Sequence, residues 1–263
     1  MSVAPARKRV STKKPARTHH PGPLLPGSSE IKLNKLLSAL PDADLKRWLP
    51  HLELVDLPLG CVLYESGEDE GHAYFPTSGI VSLLYVMKNG DSAEIAVVGN
   101  EGLVGISLFM GGNTTPSRAV VQSAGHGFRL KAQLLKDAFK LGGPVMNLLL
   151  RYTQALITQM AQTAVCNRHH TLDEQLCRWL LLSLDRLPGN ELTMTQELIS
   201  NMLGVRREGV TEAALKIQAS GLISYTRGRI KVLDRAGLEK RYCECYDVVK
   251  LEYDRLLPRE MAA

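Results

Sequence analysis

Apolar positions along this chain fall into three textures. Over residues 30–53, Leu33, Leu36, Leu37 and Leu40 recur at helical spacing, and Pro41-Asp42 starts a further short helix. From Leu54 to Leu130 the runs shorten. CVLY, IVSLLYVM, EIAVV and AVVQ alternate with the turns LPLG, ESGEDEG, PTSG, KNGDS, GNEG and GGNTTPS, the texture of an all-β roll or barrel. Asn89-Gly90 is its clearest hairpin turn. Residues 131–141 predict a short helix stopped by Gly142-Gly143-Pro144, and a long helix runs from about Val145 to about Arg168. On the long helix Leu149, Thr153, Leu156, Met160 and Thr163 or Ala164 form a narrow stripe. It suits a helix–helix seam, either with a second copy of the chain or with its own roll.

The third texture follows His169-His170. LDEQLCRWLLLSLDRL predicts an apolar helix ended by Pro188-Gly189-Asn190. In LTMTQELISNMLG, Thr193 and Gln196 have capping-box spacing, Leu198, Ile199, Met202 and Leu203 form the buried stripe, and Gly204 supplies a left-handed stop. The next helix buries Val210, Ala214 and Ile217. LISYTRGRIKVLD is then a hairpin with Arg227-Gly228 near its tip. Two short helices, a glycine turn and a hairpin make a winged helix-turn-helix.

Charge sharpens this picture only locally. The formal net charge is +5, but the first 29 residues contribute six basic side chains and no acid, so the remainder carries −1. That segment, rich in Pro, Ser, Arg and Lys, cannot bury a core and is expected to be disordered. It is a solvated leader or a start placed too early, with a non-specific nucleic-acid arm as the alternative. Five scattered cysteines, Cys61, Cys166, Cys177, Cys243 and Cys245, argue against a disulfide framework and for a reducing cytoplasm. No apolar run is long enough to span a membrane. No GxSxG, P-loop or HExxH is present, and no catalytic set emerges.

The helix after Gly204 begins with Arg206-Arg207-Glu208, although a helix N-terminus is already partly positive. An external anion such as a DNA phosphate would compensate. In a helix-turn-helix this end enters the major groove, where Arg pairs with guanine and Glu accepts from cytosine. Arg207 and Thr211 share one face, Glu208 and Glu212 another. With Thr195, Arg206, and Arg227 and Arg229 of the wing, they are the candidate DNA-binding residues.

In this order of parts the sequence resembles the Crp/Fnr superfamily of bacterial transcription regulators. The resemblance covers about residues 35–235 and is most specific over TQELISNMLGVRREGVTEAALKIQASGLI. It implies an α+β fold. An N-terminal double-stranded β-helix or β-roll like a cyclic-nucleotide-binding domain precedes a long dimerisation helix and a C-terminal winged helix-turn-helix. Arg207 and Glu208 match the family's base-reading pair. Arg206 stands where Ser or Thr is usual, and Glu212 where many members have Arg, so capping and operator are expected to differ.

The sensory half departs further. Members that bind cyclic AMP have Glu after a glycine for the ribose and an Arg-Ser or Arg-Thr pair for the phosphate. Here Gly105 is followed by Ile106 and Ser107, and Ser117-Arg118 has the reverse order. A one-residue slip on a strand moves a side chain to the other face. Arg118 is therefore expected to miss the pocket unless the longer GGNTTPS loop re-registers it. The effector pocket is expected around Gly105, Ile106, Ser107, Ser117 and Arg118, with an effector that is unknown and not ordinary cyclic AMP. The iron–sulfur site of oxygen-sensing relatives is missing, since no cysteine precedes Cys61. For haem, His51, His72 and His126 are candidates in number only.

Cys166, His169 and His170, with Cys177 nearby, could bind zinc, but their separations match no known framework, and no metal is expected. Cys243 and Cys245 are expected on opposite faces of a strand or poorly aligned on a helix, with VVKLEYDRLL as a short packing helix. The domains read as a disordered basic tail (1–29), a sensory roll (30–144), a dimerisation helix (145–170), a winged helix-turn-helix (171–240) and a helical tail (241–263). The expected function is a cytoplasmic homodimeric regulator. Its partners are double-stranded DNA bearing a pseudo-palindromic operator and RNA polymerase, with no cofactor evident and no membrane. The alternatives are a ligand- or protein-binding module with a vestigial winged helix, and an enzyme using the roll as its pocket.

Overall fold

A computed structural model describes residues 28–257. The tail expected over 1–29 lies outside them except for its last two residues, which open α1 (Ser28–Ile31). With α2 (Lys35–Ser38) and α3 (Asp42–Trp48) this helix closes one end of the roll. Ile31 is buried, and so is Asn34, whose side chain caps α2 through Leu37 N and donates to Pro76 O at 2.8 Å and Gly102 O at 2.9 Å.

Among the described residues the roll has seven strands: β1 (Glu53–Leu57), β2 (Val62–Tyr64), β3 (His72–Pro76), β4 (Ile80–Val86), β5 (Ser92–Val98), β6 (Ser117–Ser123) and β7 (Gly125–Lys131). They form two antiparallel sheets, β1-β7-β3 and β2-β6-β4-β5. Phe75, Phe128 and Leu130 of the first join Val81, Leu83, Val98 and Val121 of the second in one core. The hairpin expected at Asn89-Gly90 forms. Its loop closes through Met87 N to Asp91 O at 2.7 Å, with Gly90 at φ 95°.

After α4 (Ala132–Lys140) comes α5 (Gly143–His169), 27 residues long. The stripe predicted as a seam faces the chain itself. Leu149, Thr153, Leu156 and Thr163 are buried, Met160 is half-buried and Ala164 is exposed. Tyr152 on the same side fixes this face: its hydroxyl donates to Leu103 O at 2.8 Å, and its ring lies over Gly102, where a Cβ would come within 2.3 Å. Thr153 and Thr163 return their hydroxyls to carbonyls four residues back, which is why polar residues fit the stripe. A second row, Leu150, Ile157, Ala161, Ala164 and Val165, stays exposed.

The third part holds α6 (Leu172–Leu184), β8 (Glu191–Thr193), α7 (Gln196–Leu203), α8 (Arg207–Ala219), β9 (Ile223–Thr226), β10 (Arg229–Val232), α9 (Arg235–Leu238) and α10 (Cys245–Leu256). Thr171 and Glu174 form a full capping box at the start of α6. The wing is a three-stranded antiparallel sheet, β8-β10-β9. Leu176, Leu180, Ile199, Val210, Ile217 and Ile230 share its core.

Roll and winged helix meet over a buried polar chain. Glu94 of β5 accepts from Trp179 Nε1 of α6 at 3.1 Å and lies 2.5 Å from Ser82 Oγ, which is 2.7 Å from Gln122 Oε1. Gln122 in turn donates to Ser183 Oγ of α6 at 3.4 Å. Ser82 has one proton and faces two acceptors. The chain is satisfied when Glu94 is protonated and donates to Ser82, which then donates to Gln122. Burial pushes the Glu94 carboxyl up to about 7, outweighing the bonds that Ser82 and Trp179 would donate to its ionised form. The folded state therefore holds this proton more tightly than the unfolded chain. Stability contributed by Glu94 is highest below its ordinary carboxylate range, falls as pH rises, and is fully lost above about 7. Glu94→Gln should flatten this part of the pH dependence, which for a single proton is at most about 1.4 kcal/mol per pH unit. Denaturant unfolding across this range checks it; an unchanged slope in the variant would contradict the protonated chain.

Candidate functional site

The exposed end of α8 is built by its neighbours. Thr195, not Thr193, caps α7, accepting from Leu198 N at 3.2 Å, because Thr193 is still paired to Arg229 in the wing sheet. Gly204 takes the left-handed stop, at φ 65°. Arg206 is the N-cap of α8 and makes no capping bond with its side chain. Val210, Ala213, Ala214 and Ile217 bury the inner face of the helix, leaving Arg206, Arg207, Glu208 and Glu212 exposed.

These exposed groups are not equivalent. Glu212 pairs with Lys216 at 3.1 Å, which offsets the repulsion expected from Glu208. Thr211 Oγ1 sits 2.9 Å from Gln196 Oε1 and 3.0 Å from Arg207 O, so its proton serves the packing of α7 on α8. Among the described residues, Arg206, Arg207 and Glu208 form no ion pair, nor do Arg227 and Arg229 of the wing. Lys231 is paired with Glu191 at 3.2 Å.

The wing tip carries backbone strain. Only Arg227 and Gly228 separate β9 from β10, and both have positive φ, 51° and 77°. A two-residue hairpin of this hand favours Asn-Gly. Arg at the first position is costly for the hairpin.

In the roll, the predicted pocket residues separate. Gly105 takes φ 112° and leads into a single 3-10 turn, Ile106–Leu108. Ile106 packs half-buried on the apolar core. Ser107 Oγ donates at 2.6 Å to Glu70, which nothing in the sequence singles out among the four acids of ESGEDEG and its flanks. Glu70 is 5% exposed, its second oxygen has no partner, and burial raises its pKa. Ser117 points inward, 3.4 Å from Tyr64 OH, while Arg118 lies on the opposite face, its Nε 3.0 Å from Glu65. The one-residue slip therefore holds. Gly105 and Ser107 thus lie against the Glu70 carboxylate, and Arg118 is on the other face of β6.

Comparison with known proteins agrees with both halves. Residues 54–140 match the family described as cyclic nucleotide-binding domain, and residues 174–241 match the Crp-like helix-turn-helix domain. Together they cover more than half of the chain. It belongs to the Crp/Fnr superfamily of transcription regulators. The Crp/Fnr fold is shared with solved structures of low identity. A transcriptional regulator of that family from Eubacterium rectale is 21% identical with a TM-score of 0.63, covering 80% of this chain and 98% of its own. FixK2 from Bradyrhizobium japonicum is 16% identical with a TM-score of 0.61, covering 73% and 98%. The regulator CLP of Xanthomonas campestris, described as responsive to c-di-GMP, is 16% identical with a TM-score of 0.60, covering 74% and 100%. No curated protein sequence matches the chain. The superfamily consists of regulators rather than enzymes, and among the described residues no helix is long and apolar enough to cross a membrane.

Arg227→Asn should raise stability by a few tenths to about 1 kcal/mol, since Asn tolerates the left-handed conformation. Denaturant midpoints read this, and a variant that loses stability would contradict the strain.

Proposed function

We propose that this chain is a sequence-specific DNA-binding transcription regulator that acts as a homodimer on a pseudo-palindromic operator. The observation that carries the reading is the set of unpaired charges on one exposed surface: Arg206, Arg207 and Glu208 at the start of α8, with Arg227 and Arg229 on the wing. Arg207 and Glu208 read base edges, while Arg206, Arg227 and Arg229 hold phosphates. Thr195 at the cap of α7 adds a backbone contact, Thr211 supports the recognition helix from within, and Glu212 is held back by Lys216.

Dimerisation uses the outer row of α5, Leu150, Ile157, Ala161, Ala164 and Val165. Its exposed apolar residues recur at three-, four- and seven-residue steps, as a helix–helix seam requires. The units are the sensory roll (30–144), the α5 segment (145–170), the winged helix (171–240) and the tail helix beyond it. The setting is the cytoplasm, with RNA polymerase as a further partner. The roll takes an effector other than ordinary cyclic AMP. Ile106 cannot accept from ribose hydroxyls, and Arg118, the cation a cyclic phosphate would need, is paired with Glu65 on the other face of its strand.

Selection of random duplexes on the purified chain should enrich two half-sites about one helical turn apart. Arg207→Ala should then lose discrimination at one base pair per half-site, at a cost of about 1–3 kcal/mol. Equal weakening on every sequence would assign Arg207 to phosphate instead. Cyclic AMP in large excess should leave the unfolding temperature unchanged; a rise of several degrees would overturn the effector reading.

A further inference from the structure

At the point where α5 ends, four donor side chains converge from two distant stretches of chain. Cys166 and His170 come from the end of α5, Cys243 and Cys245 from the turn that opens α10. Their ligand atoms all lie within 4.8 Å of one another. Cys166 Sγ is 3.5 Å from Cys243 Sγ, and His170 Nδ1 is 3.4 Å from Cys245 Sγ. Three sequence-based expectations change here. Cys243 and Cys245 lie on neither a strand nor one helix face: Cys243 precedes α10 and Cys245 is its first residue, and both reach one place. His169 is exposed, and His170 takes its part. Cys177 packs in a separate apolar core.

The spacing has a physical meaning. The three cysteines of the cluster are free, and 3.5 Å is far beyond a sulfur–sulfur bond of about 2.05 Å. Four ligands around one ion, with metal–sulfur bonds of about 2.3 Å and metal–nitrogen bonds of about 2.0–2.1 Å, define a tetrahedron with edges of about 3.5–3.8 Å. Two of the donor pairs, at 3.5 and 3.4 Å, already stand near those separations, and all four donors lie within 4.8 Å of one another. An iron–sulfur cube holds its ligands at separate corners and needs them farther apart. Three sulfurs and one imidazole in a closed site are the donor set that zinc takes.

The surroundings orient the donors. Glu244 Oε2 lies 3.3 Å from His170 Nε2, so the outer imidazole nitrogen meets a carboxylate while Nδ1 faces the sulfurs. That pairing fixes the tautomer a metal-binding imidazole needs. Gln162 Nε2 donates to Cys245 Sγ at 3.1 Å, and Gln175 Nε2 donates to His170 O at 2.9 Å. The sulfurs are shut away from water: Cys166, Cys243 and Cys245 are 0%, 4% and 0% exposed. Three thiolates around one divalent ion leave a net charge of −1. The buried guanidinium of Arg178, bonded to Thr163 one turn before Cys166, lies on the same side of α5 to balance it.

We infer that Cys166, His170, Cys243 and Cys245 form a zinc site that ties the end of the long helix to the start of the C-terminal helix. The ion replaces the thiol protons of the three cysteines, which are released on binding. Loading fixes the bend between α5 and α6, and so the angle at which the winged helix leaves the roll.

The test is metal content followed by cobalt substitution on the full chain. The purified chain should carry one zinc, and the chelated chain titrated with cobalt(II) should develop the absorption of a tetrahedral thiolate site at one equivalent. Cys243→Ser should abolish that stoichiometric band, Cys177→Ser should keep it, and Glu244→Gln should keep it with affinity lowered about tenfold or more. Four results would overturn the proposal: no stoichiometric cobalt band in the parent chain, an iron–sulfur chromophore as isolated, a Cys166–Cys243 disulfide as isolated, or equal metal in Cys243→Ser. The parent titration decides the matter even if a variant fails to fold.

Discussion

One buried guanidinium holds four parts of this molecule in register. Arg186, just past α6, donates from Nε to Glu101 at 2.7 Å, from one terminal nitrogen to Leu182 O at 2.6 Å, and reaches Gln159 Oε1 of α5 at 3.4 Å with the other. It also lies over the Tyr253 ring of α10, 5.8 Å from its centre. Its stem fills the space above Gly99, where a Cβ would come within 2.7 Å. Roll, long helix, winged helix and tail helix all meet at this side chain. Removing one member of such a buried pair leaves a charge without a partner, at a cost of about 3–5 kcal/mol.

Around that centre the surfaces divide the work. One face of α5 is consumed by the chain's own core, and the other, the seam proposed for a second copy, stays exposed. Tyr152 places that helix in direct hydrogen-bond contact with Leu103, two residues before the left-handed Gly105 that opens the sensory turn. The buried Glu94 chain joins the opposite sheet of the roll to α6. The roll is thus tied to α5 and to α6 through two separate sets of buried polar groups.

Local signals are legible in the sequence and long-range ones are not. Glycine stops such as Gly204, the strands rich in β-branched residues and the Arg206-Arg207-Glu208 start of α8 are read from neighbours a few residues apart. Strands β1, β3 and β7 are harder to single out, because ELVDL, HAYFP and GHGFRLK mix charge, glycine and proline into a short alternation. The stripe on α5 is visible, but its periodicity is the same whether it meets a partner chain or its own roll. Thr153 and Thr163 on the buried side show that polarity does not settle the matter. Arg186, Glu94, Glu101 and Glu70 look like ordinary surface charges in sequence; only packing reveals them as buried. The cysteine and histidine cluster joins positions 77 residues apart, a separation that no spacing rule for metal ligands covers.

The central claim is that two copies joined through the outer row of α5 present two recognition helices to one duplex. Sedimentation equilibrium on the full chain, alone and with the selected duplex, tests this most directly. A molar mass of two chains is expected for the free protein, with two chains per duplex in the complex. Ile157→Glu is expected to yield single chains that remain folded. A parent protein that sediments as one chain, and binds the duplex as one chain, would contradict the claim.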